Sequence, residues 1–250
     1  MNDLLRNRKV LYAGVAVLAL AVAGALIGVS LSGGGSKSGT VDTSTTTTTN
    51  RGGGGVTISG GPETAALFRG VTQKLNVLGN AKAPVTLFEF ADLQCPYCAD
   101  YAVDVLPAIV KEYVRTGKVK LVFSGMAFLG PDSEKALRAV YAAGVQGRLW
   151  NMLDLLYRNQ GAENSGWVTD DLLRAAGKQA GVDVGTMMAA RQSTEVDNAL
   201  KVSEQQAASA GVNSTPTFFA GPTGGQLQHL SISSLTPEPF RAQLDALLNK

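Results

Sequence analysis

The longest apolar run of the chain comes first. Residues 10–31, "VLYAGVAVLALAVAGALIGVSL", are 22 residues without a charge. As a helix rising ~1.5 Å per residue, the run is about 33 Å long, enough to cross a bilayer core. Arg6, Arg8 and Lys9 precede it, against one acid, Asp3. That bias keeps residues 1–9 in the cytoplasm and sends everything after the run outward. A cleaved signal peptide is the rival reading, but its apolar region spans only about 7–15 residues. The pattern therefore favours an uncleaved anchor, and both readings export the rest of the chain.

Residues 32–62 lose all periodicity. Gly, Ser and Thr fill 23 of these 31 positions. Such a segment has too little apolar surface to offset its ordering entropy, and reads as a flexible tether. Regular patterns return in residues 63–250. Residues 85–91, "VTLFEFA", are apolar and β-prone and predict a buried strand. Residues 96–115 carry helical spacing through Tyr97, Tyr101, Val105, Ile109 and Tyr113, with a kink expected at Pro107 and Gly117 closing the helix. Residues 119–124, "VKLVFS", predict a second strand. Strand, helix and strand in so short a span favour a parallel pair with a right-handed crossover.

Residues 131–210 then read as a helical block, "SEKALRAVYAAG", "LWNMLDLLYRNQ", "TDDLLRAAGKQAG" and "TEVDNALKVSEQQAASAG". Thr169 is the expected cap of the third segment. Residues 215–221 and 227–233 read as strands. Residues 236–250 form a closing helix, with Thr236 at its cap and Pro237 at its first position. The body is thus βαβ, a helical block at about 126–210, then ββα.

Charge changes the picture little and excludes much. The net charge is +2, and beyond the first nine residues 19 basic side chains face 19 acidic ones. This balance gives no electrostatic case for nucleic-acid binding. No Gly-rich phosphate loop precedes a helix, which argues against a nucleotide site.

The chemistry lies in "FADLQCPYCADY", residues 90–101. Cys95 and Cys98 are the only cysteines in the chain. A Cys-x-x-Cys at a helix start places the first sulfur where backbone N–H groups are unpaired and the dipole is positive. Both features stabilise a thiolate at Cys95, and Cys98 lies one turn on, able to resolve a mixed disulfide. Pro96 suits a first helical position, which needs no N–H. Asp92 and Asp100 would oppose the thiolate if they lay close. Other readings carry less. Structural zinc wants four Cys or His ligands, and the chain offers two cysteines and the distant His229, which reads as an ordinary strand residue. Copper handling lacks a Met or His cluster. A structural disulfide closing so short a loop would stabilise weakly.

"APVTLFEFADLQCPYC", followed much later by "VNSTPTFF", resembles the DsbA-like thiol–disulfide oxidoreductases of the thioredoxin superfamily, over about residues 70–250. The resemblance implies an α/β thioredoxin fold, a mixed central sheet flanked by helices, with a helical insertion. It implies that Cys95 attacks and Cys98 resolves, and that Pro216 is the cis-proline facing the pair. Thr215 would offer backbone polar groups to an extended substrate. Pro96 and Tyr97 would tune the thiolate; better-known members carry His at the position of Tyr97. Glu89, six residues before Cys95, either assists proton transfer at Cys98 or points outward from its strand. Trp150, Leu153 and Leu156 of the insertion read as core.

The expected activity is extracytoplasmic dithiol oxidation. Exported proteins with free thiols would be the substrates, with no metal or cofactor, in a single-pass protein of a bacterial cell envelope. A membrane partner of the DsbB or vitamin-K-epoxide-reductase type would reoxidise the pair. The alternatives are a reductase or isomerase kept reduced by a membrane donor, and a tethered non-catalytic peptide-binding module.

Overall fold

The computed structural model describes residues 56–249. The expected basic segment, the expected anchor and most of the expected tether lie outside them. Among the described residues no helix is long and apolar enough to cross a membrane.

The described chain opens with helix α1 (Gly61–Phe68) and two short strands, β1 (Gln73–Lys74) and β2 (Val77–Leu78). None of the three is evident in the hydrophobic pattern. The turn between the strands places Leu75 at φ 52 with its side chain exposed. Strand β3 (Val85–Asp92) follows, and all eight of its residues are buried. Helix α2 (Pro96–Asp100) begins at the cysteines and continues through a π-helical stretch (Tyr101–Val105), α3 (Leu106–Ile109) and a second π-helical stretch (Val110–Val114). The kink expected at Pro107 is accommodated by these widened turns. Pro107 has no N–H to give to the preceding turn, and the Leu106 N–H reaches back five residues to the Tyr101 carbonyl. Gly117, at φ 72, ends the run.

Strand β4 (Val119–Met126) leads into five helices: α4 (Pro131–Val145), α5 (Leu149–Arg158), α6 (Asp170–Ala180), α7 (Val184–Ala190) and α8 (Thr194–Ala210). The hydrophobic pattern anticipates all but α7, a short helix capped by the Asp183 carboxylate, which accepts from Thr186 N at 2.7 Å. Thr169 caps α6 as expected, accepting from Leu172 N. The chain closes with β5 (Thr217–Pro222), β6 (Gln228–His229) and α9 (Pro237–Leu248).

The six strands form one mixed sheet in the order β1-β2-β4-β3-β5-β6. Strands β3 and β4 are parallel, in register from Val85↔Val119 to Asp92↔Met126. Strand β5 lies antiparallel on the other side of β3, with Glu89 opposite Phe218. The pleat then divides the core in two. Leu87 and Ala91 face the larger core with α2, α5 and α9, where Trp150, Leu153 and Leu156 are buried. Phe88 and Phe90 face the smaller one, packed with Met126 and Ala207. Fully burying each large apolar side chain stabilises by roughly 1.5–3 kcal/mol.

Two strand boundaries differ from expectation. The strand expected at 215–221 begins at Thr217, because Pro216 has no N–H for a ladder. The strand expected at 227–233 shrinks to Gln228–His229 for the same reason. Leu230 N still donates to Phe218 O at 2.8 Å, but the residues beyond it have run past the start of β5 and find no ladder partner. Thr236 occupies the cap of α9 without a side-chain bond to the helix.

Candidate active site

The carboxyl ends of the parallel strands β3 and β4 lie side by side, and the Cys95–Cys98 segment leaves the sheet there. Cys95 is the N-cap of α2, with φ −72 and ψ 119, and Pro96 occupies the first turn as expected. Its carbonyl accepts from Cys98 N at 3.1 Å and Ala99 N at 3.2 Å. Both sulfurs are free thiols. Cys95 is 5% exposed and Cys98 is fully buried, while Tyr97 between them is 63% exposed.

The loop before β5 closes over the pair. The Thr215–Pro216 peptide is cis. The Cys95 thiol donates to the Thr215 carbonyl at 3.3 Å. A groove of about 460 Å³ extends from Tyr97 and Pro216 along Thr217 and Phe218, with the 229–235 segment as its far wall. His229 stands on that wall, its ring edge-on to Phe219 at 5.4 Å.

The environments of the two sulfurs push them apart. The Cys98 thiol does most to stabilise a Cys95 thiolate. Burial opposes ionisation, and Thr215 and the Cys98 and Tyr97 amides assist it. The balance lowers Cys95 from 9.0 to about 6. Cys98 moves the other way, raised by burial, then by Cys95 and by Glu89.

Glu89 does not point outward. It is 3% exposed and shares the Leu87 and Ala91 side of β3, the side that faces α2. Its Oε1 has no hydrogen-bond partner. Burial raises its carboxyl from 4.5 to about 8, so it is protonated at neutral pH. The Tyr101 hydroxyl, one helical turn beyond Cys98, is likewise buried and unpartnered.

Asp92, which would oppose the thiolate if its charge lay free beside it, is fully buried and bound to other donors. One oxygen accepts from Gln94 N at 2.8 Å and Ser133 Oγ at 2.6 Å. The other accepts from Phe128 N at 2.7 Å and Leu129 N at 3.1 Å. Four donors satisfy the carboxylate and bind the end of β3 to the start of the helical insertion. The main chain of Asp92 meets both cysteines. Its carbonyl accepts from Cys95 N at 3.1 Å, and its backbone N–H supports the Cys98 sulfur.

Sequence reasoning overlooked three further residues at this loop. Gln160 donates to the Leu93 carbonyl at 2.8 Å and the Cys95 carbonyl at 3.1 Å. Gln94 is buried, exchanges bonds with Asn164 and donates to Ser133 Oγ. Tyr157 donates to the Asp92 carbonyl at 3.2 Å. The spacing of Asp92 and Gln94 signals a side-chain turn before the cysteines. Nothing local marks Gln160, which arrives from the far end of α5.

An acidified thiol at a helix start, a buried partner thiol and a cis-proline loop over them define a thioredoxin-fold site for thiol–disulfide exchange. The thioredoxin family profile matches residues 72–246, and the chain belongs to that family. A probable disulfide bond formation protein D of Bacillus cereus is 32% identical over 146 residues, covering 57% of this chain and 68% of that protein. Its namesake from Bacillus anthracis is 31% identical, covering 63% and 73%. Among solved structures, oxidised BdbD from Bacillus subtilis superposes with a TM-score of 0.61 at 22% identity, covering 72% of this chain and 98% of that one. The protein is a thiol–disulfide oxidoreductase.

Proposed function

We propose that the protein is an exported dithiol oxidase. The observation that carries this is the asymmetry of the pair: Cys95 is lowered to about 6 while Cys98 is raised. Stabilising the Cys95 thiolate stabilises the reduced enzyme and so makes its disulfide the more oxidising.

The reaction starts from the Cys95–Cys98 disulfide. A substrate thiolate attacks Cys95 Sγ, a substrate–Cys95 bond forms, and the intramolecular S–S bond breaks. Cys98 leaves with the electron pair and takes a proton, which the neutral Glu89 carboxyl is placed to supply. A second substrate thiolate attacks the substrate sulfur of the mixed disulfide, and Cys95 leaves as a stabilised thiolate. Two substrate thiols become one disulfide, and two electrons remain on the enzyme. Thr215 and Pro216 position the substrate backbone over the pair, and Pro96 and Tyr97 set the helix start that holds the thiolate.

A membrane partner of the DsbB or vitamin-K-epoxide-reductase type then takes the electrons. In this reading residues 10–31 anchor the protein in the membrane of a bacterial cell envelope. Residues 32–62 tether the catalytic domain of residues 63–250 outside the cytoplasm, and exported proteins with free thiols are its substrates. The uncharged run after a basic cluster supports that placement.

Equilibration with glutathione redox buffers tests the direction. An oxidase has a potential above about −200 mV, whereas a value near that of thioredoxin, roughly −270 mV, overturns the proposal in favour of a reductase.

A further inference from the structure

The backbone of Cys95 is fixed partly from outside the thioredoxin core. The Cys95 carbonyl takes three donors: Cys98 N, Ala99 N and the Gln160 side-chain amide. The same Gln160 Nε2 holds the Leu93 carbonyl, so one amide spans the carbonyls on both sides of Gln94. Four residues on, Asn164 grips Gln94 itself. Its backbone N–H donates to Gln94 Oε1 at 2.6 Å, and its Oδ1 accepts from Gln94 Nε2 at 3.2 Å. Asn164 adopts φ 53, a left-handed conformation that Asn tolerates better than most residues. Its side-chain amide also donates to the Leu129 carbonyl. Gln94 Nε2 reaches Ser133, which in turn donates to Asp92.

We infer that Gln160 and Asn164, on the connection between α5 and α6, are positioning residues for the redox pair. They clamp Leu93–Cys95 from the helical insertion and so fix where the Cys95 sulfur stands. The physical reason is geometric. The thiolate is stabilised by the first-turn amides, the Cys98 thiol and Thr215, and each of these bonds depends on distance and direction. Thr215 precedes β5 by two residues, and the helix start follows β3 by three. The short Leu93–Cys95 segment that joins β3 to α2 is not part of the ladder, and Gln160 holds the carbonyls of its first and last residues. Without the clamp the segment and the Cys95 cap can shift relative to Thr215, and a misplacement near 1 Å at a reacting atom can cost up to about 100-fold in rate.

This assignment concerns the exchange step alone and does not depend on whether the pair oxidises or reduces its substrates. The test uses the full chain carrying Gln160→Met, which keeps the side-chain volume and removes both donors. Asn164→Gly is the second variant; it keeps the positive φ, lies at the surface and removes the side-chain bonds to Gln94 and Leu129. The readouts are the apparent pKa of Cys95, from thiolate absorbance against pH, and the rate of exchange with a small aromatic disulfide. Thermal unfolding of the reduced protein is followed alongside. In Gln160→Met the Cys95 pKa rises by about one unit and exchange at pH 6 slows roughly 10-fold, with a smaller change of the same sign in Asn164→Gly. Gln160→Asn, which keeps an amide one methylene shorter, recovers part of the shift. Folded variants whose Cys95 pKa and exchange rate match the parent overturn the assignment, whatever their melting temperatures. If Gln160→Met does not fold, an unchanged pKa in Asn164→Gly does so alone.

Discussion

Cys95 and Thr215 lie 120 residues apart, and the Cys95 sulfur stands 3.3 Å from the Thr215 carbonyl oxygen. The thiol form donates to that carbonyl. Once ionised, the sulfur can only accept, and the Cys98 thiol, the Thr215 hydroxyl and the helix-start amides take over. The change of partners is half complete at the Cys95 pKa of about 6.

The reduced protein therefore reacts with alkylating reagents in a distinctive pH window. The thiolate is the nucleophile, so the rate rises with pH and is half-maximal near pH 6, then levels off. An ordinary thiol would keep gaining up to about 8.5. A profile still climbing at pH 8 would show that Cys95 is not acidified.

Glu89→Gln separates the stability cost of the buried acid from its role. The folded carboxyl is raised to about 8 from 4.5, so its contribution favours folding at low pH and is lost as pH rises from 4.5 through 8. Between pH 4.5 and 7 this amounts to order 3 kcal/mol. The variant is therefore expected to be more stable than the parent at pH 7 and to gain little at pH 4.5. Urea unfolding at the two pH values checks the sign. Formation of the mixed disulfide from the oxidised enzyme should slow in the same variant, because the departing Cys98 sulfur loses its nearby acid.

Cys98→Ala leaves Cys95 without its resolving thiol. In cells that export cysteine-containing proteins, the variant should accumulate disulfide-linked adducts that a reducing gel dissolves and that Cys95→Ser removes. An empty trap would favour a peptide-binding module over an enzyme.

Tyr97 is exposed and its backbone N–H already supports the Cys95 thiolate. Tyr97→His adds a ring that can carry positive charge beside that thiolate. A further lowering of the Cys95 pKa by about one unit is expected, equivalent to a potential about 30 mV more oxidising. Equilibration with glutathione measures it directly; a shift to a more reducing value would contradict the charge argument.

Asp92→Ala removes the acceptor for three backbone N–H groups and one hydroxyl; the Gln94 N–H and the Ser133 hydroxyl are buried, and the Phe128 and Leu129 N–H groups are half-buried. Leaving buried donors unpaired costs about 1–3 kcal/mol each, so a loss of about 2 kcal/mol or more is expected from the two buried donors in denaturant unfolding. A loss under about 1 kcal/mol would mean that water replaces the carboxylate.

Local chemistry carried much of this site into the sequence. The apolar run of β3, the proline after Cys95 and the helical spacing that follows are all short-range signals, and they placed the redox pair at a strand-to-helix junction without any knowledge of the rest. Thr215 and Pro216 were legible only through resemblance, because a Thr-Pro pair alone reads as a strand start. The short strands β1, β2 and β6 escaped the pattern or were overdrawn, since two-residue ladders depend on a neighbour's edge and not on their own periodicity.

Tertiary structure decided the rest. Glu89 sits in an alternating strand, and only the covering of both sheet faces makes it a buried acid. Asp92 looks in sequence like a charge opposing the thiolate, yet four donors from three segments absorb it. Gln160 and Asn164 meet the active-site loop across 65 and 70 residues of chain. The sequence by itself determined where the sulfur chemistry lies, because a helix start acts on the residues next to it. Only the fold decided how acidic and how firmly held those sulfurs are, because burial and hydrogen-bond partners come from chain segments that are distant until they pack.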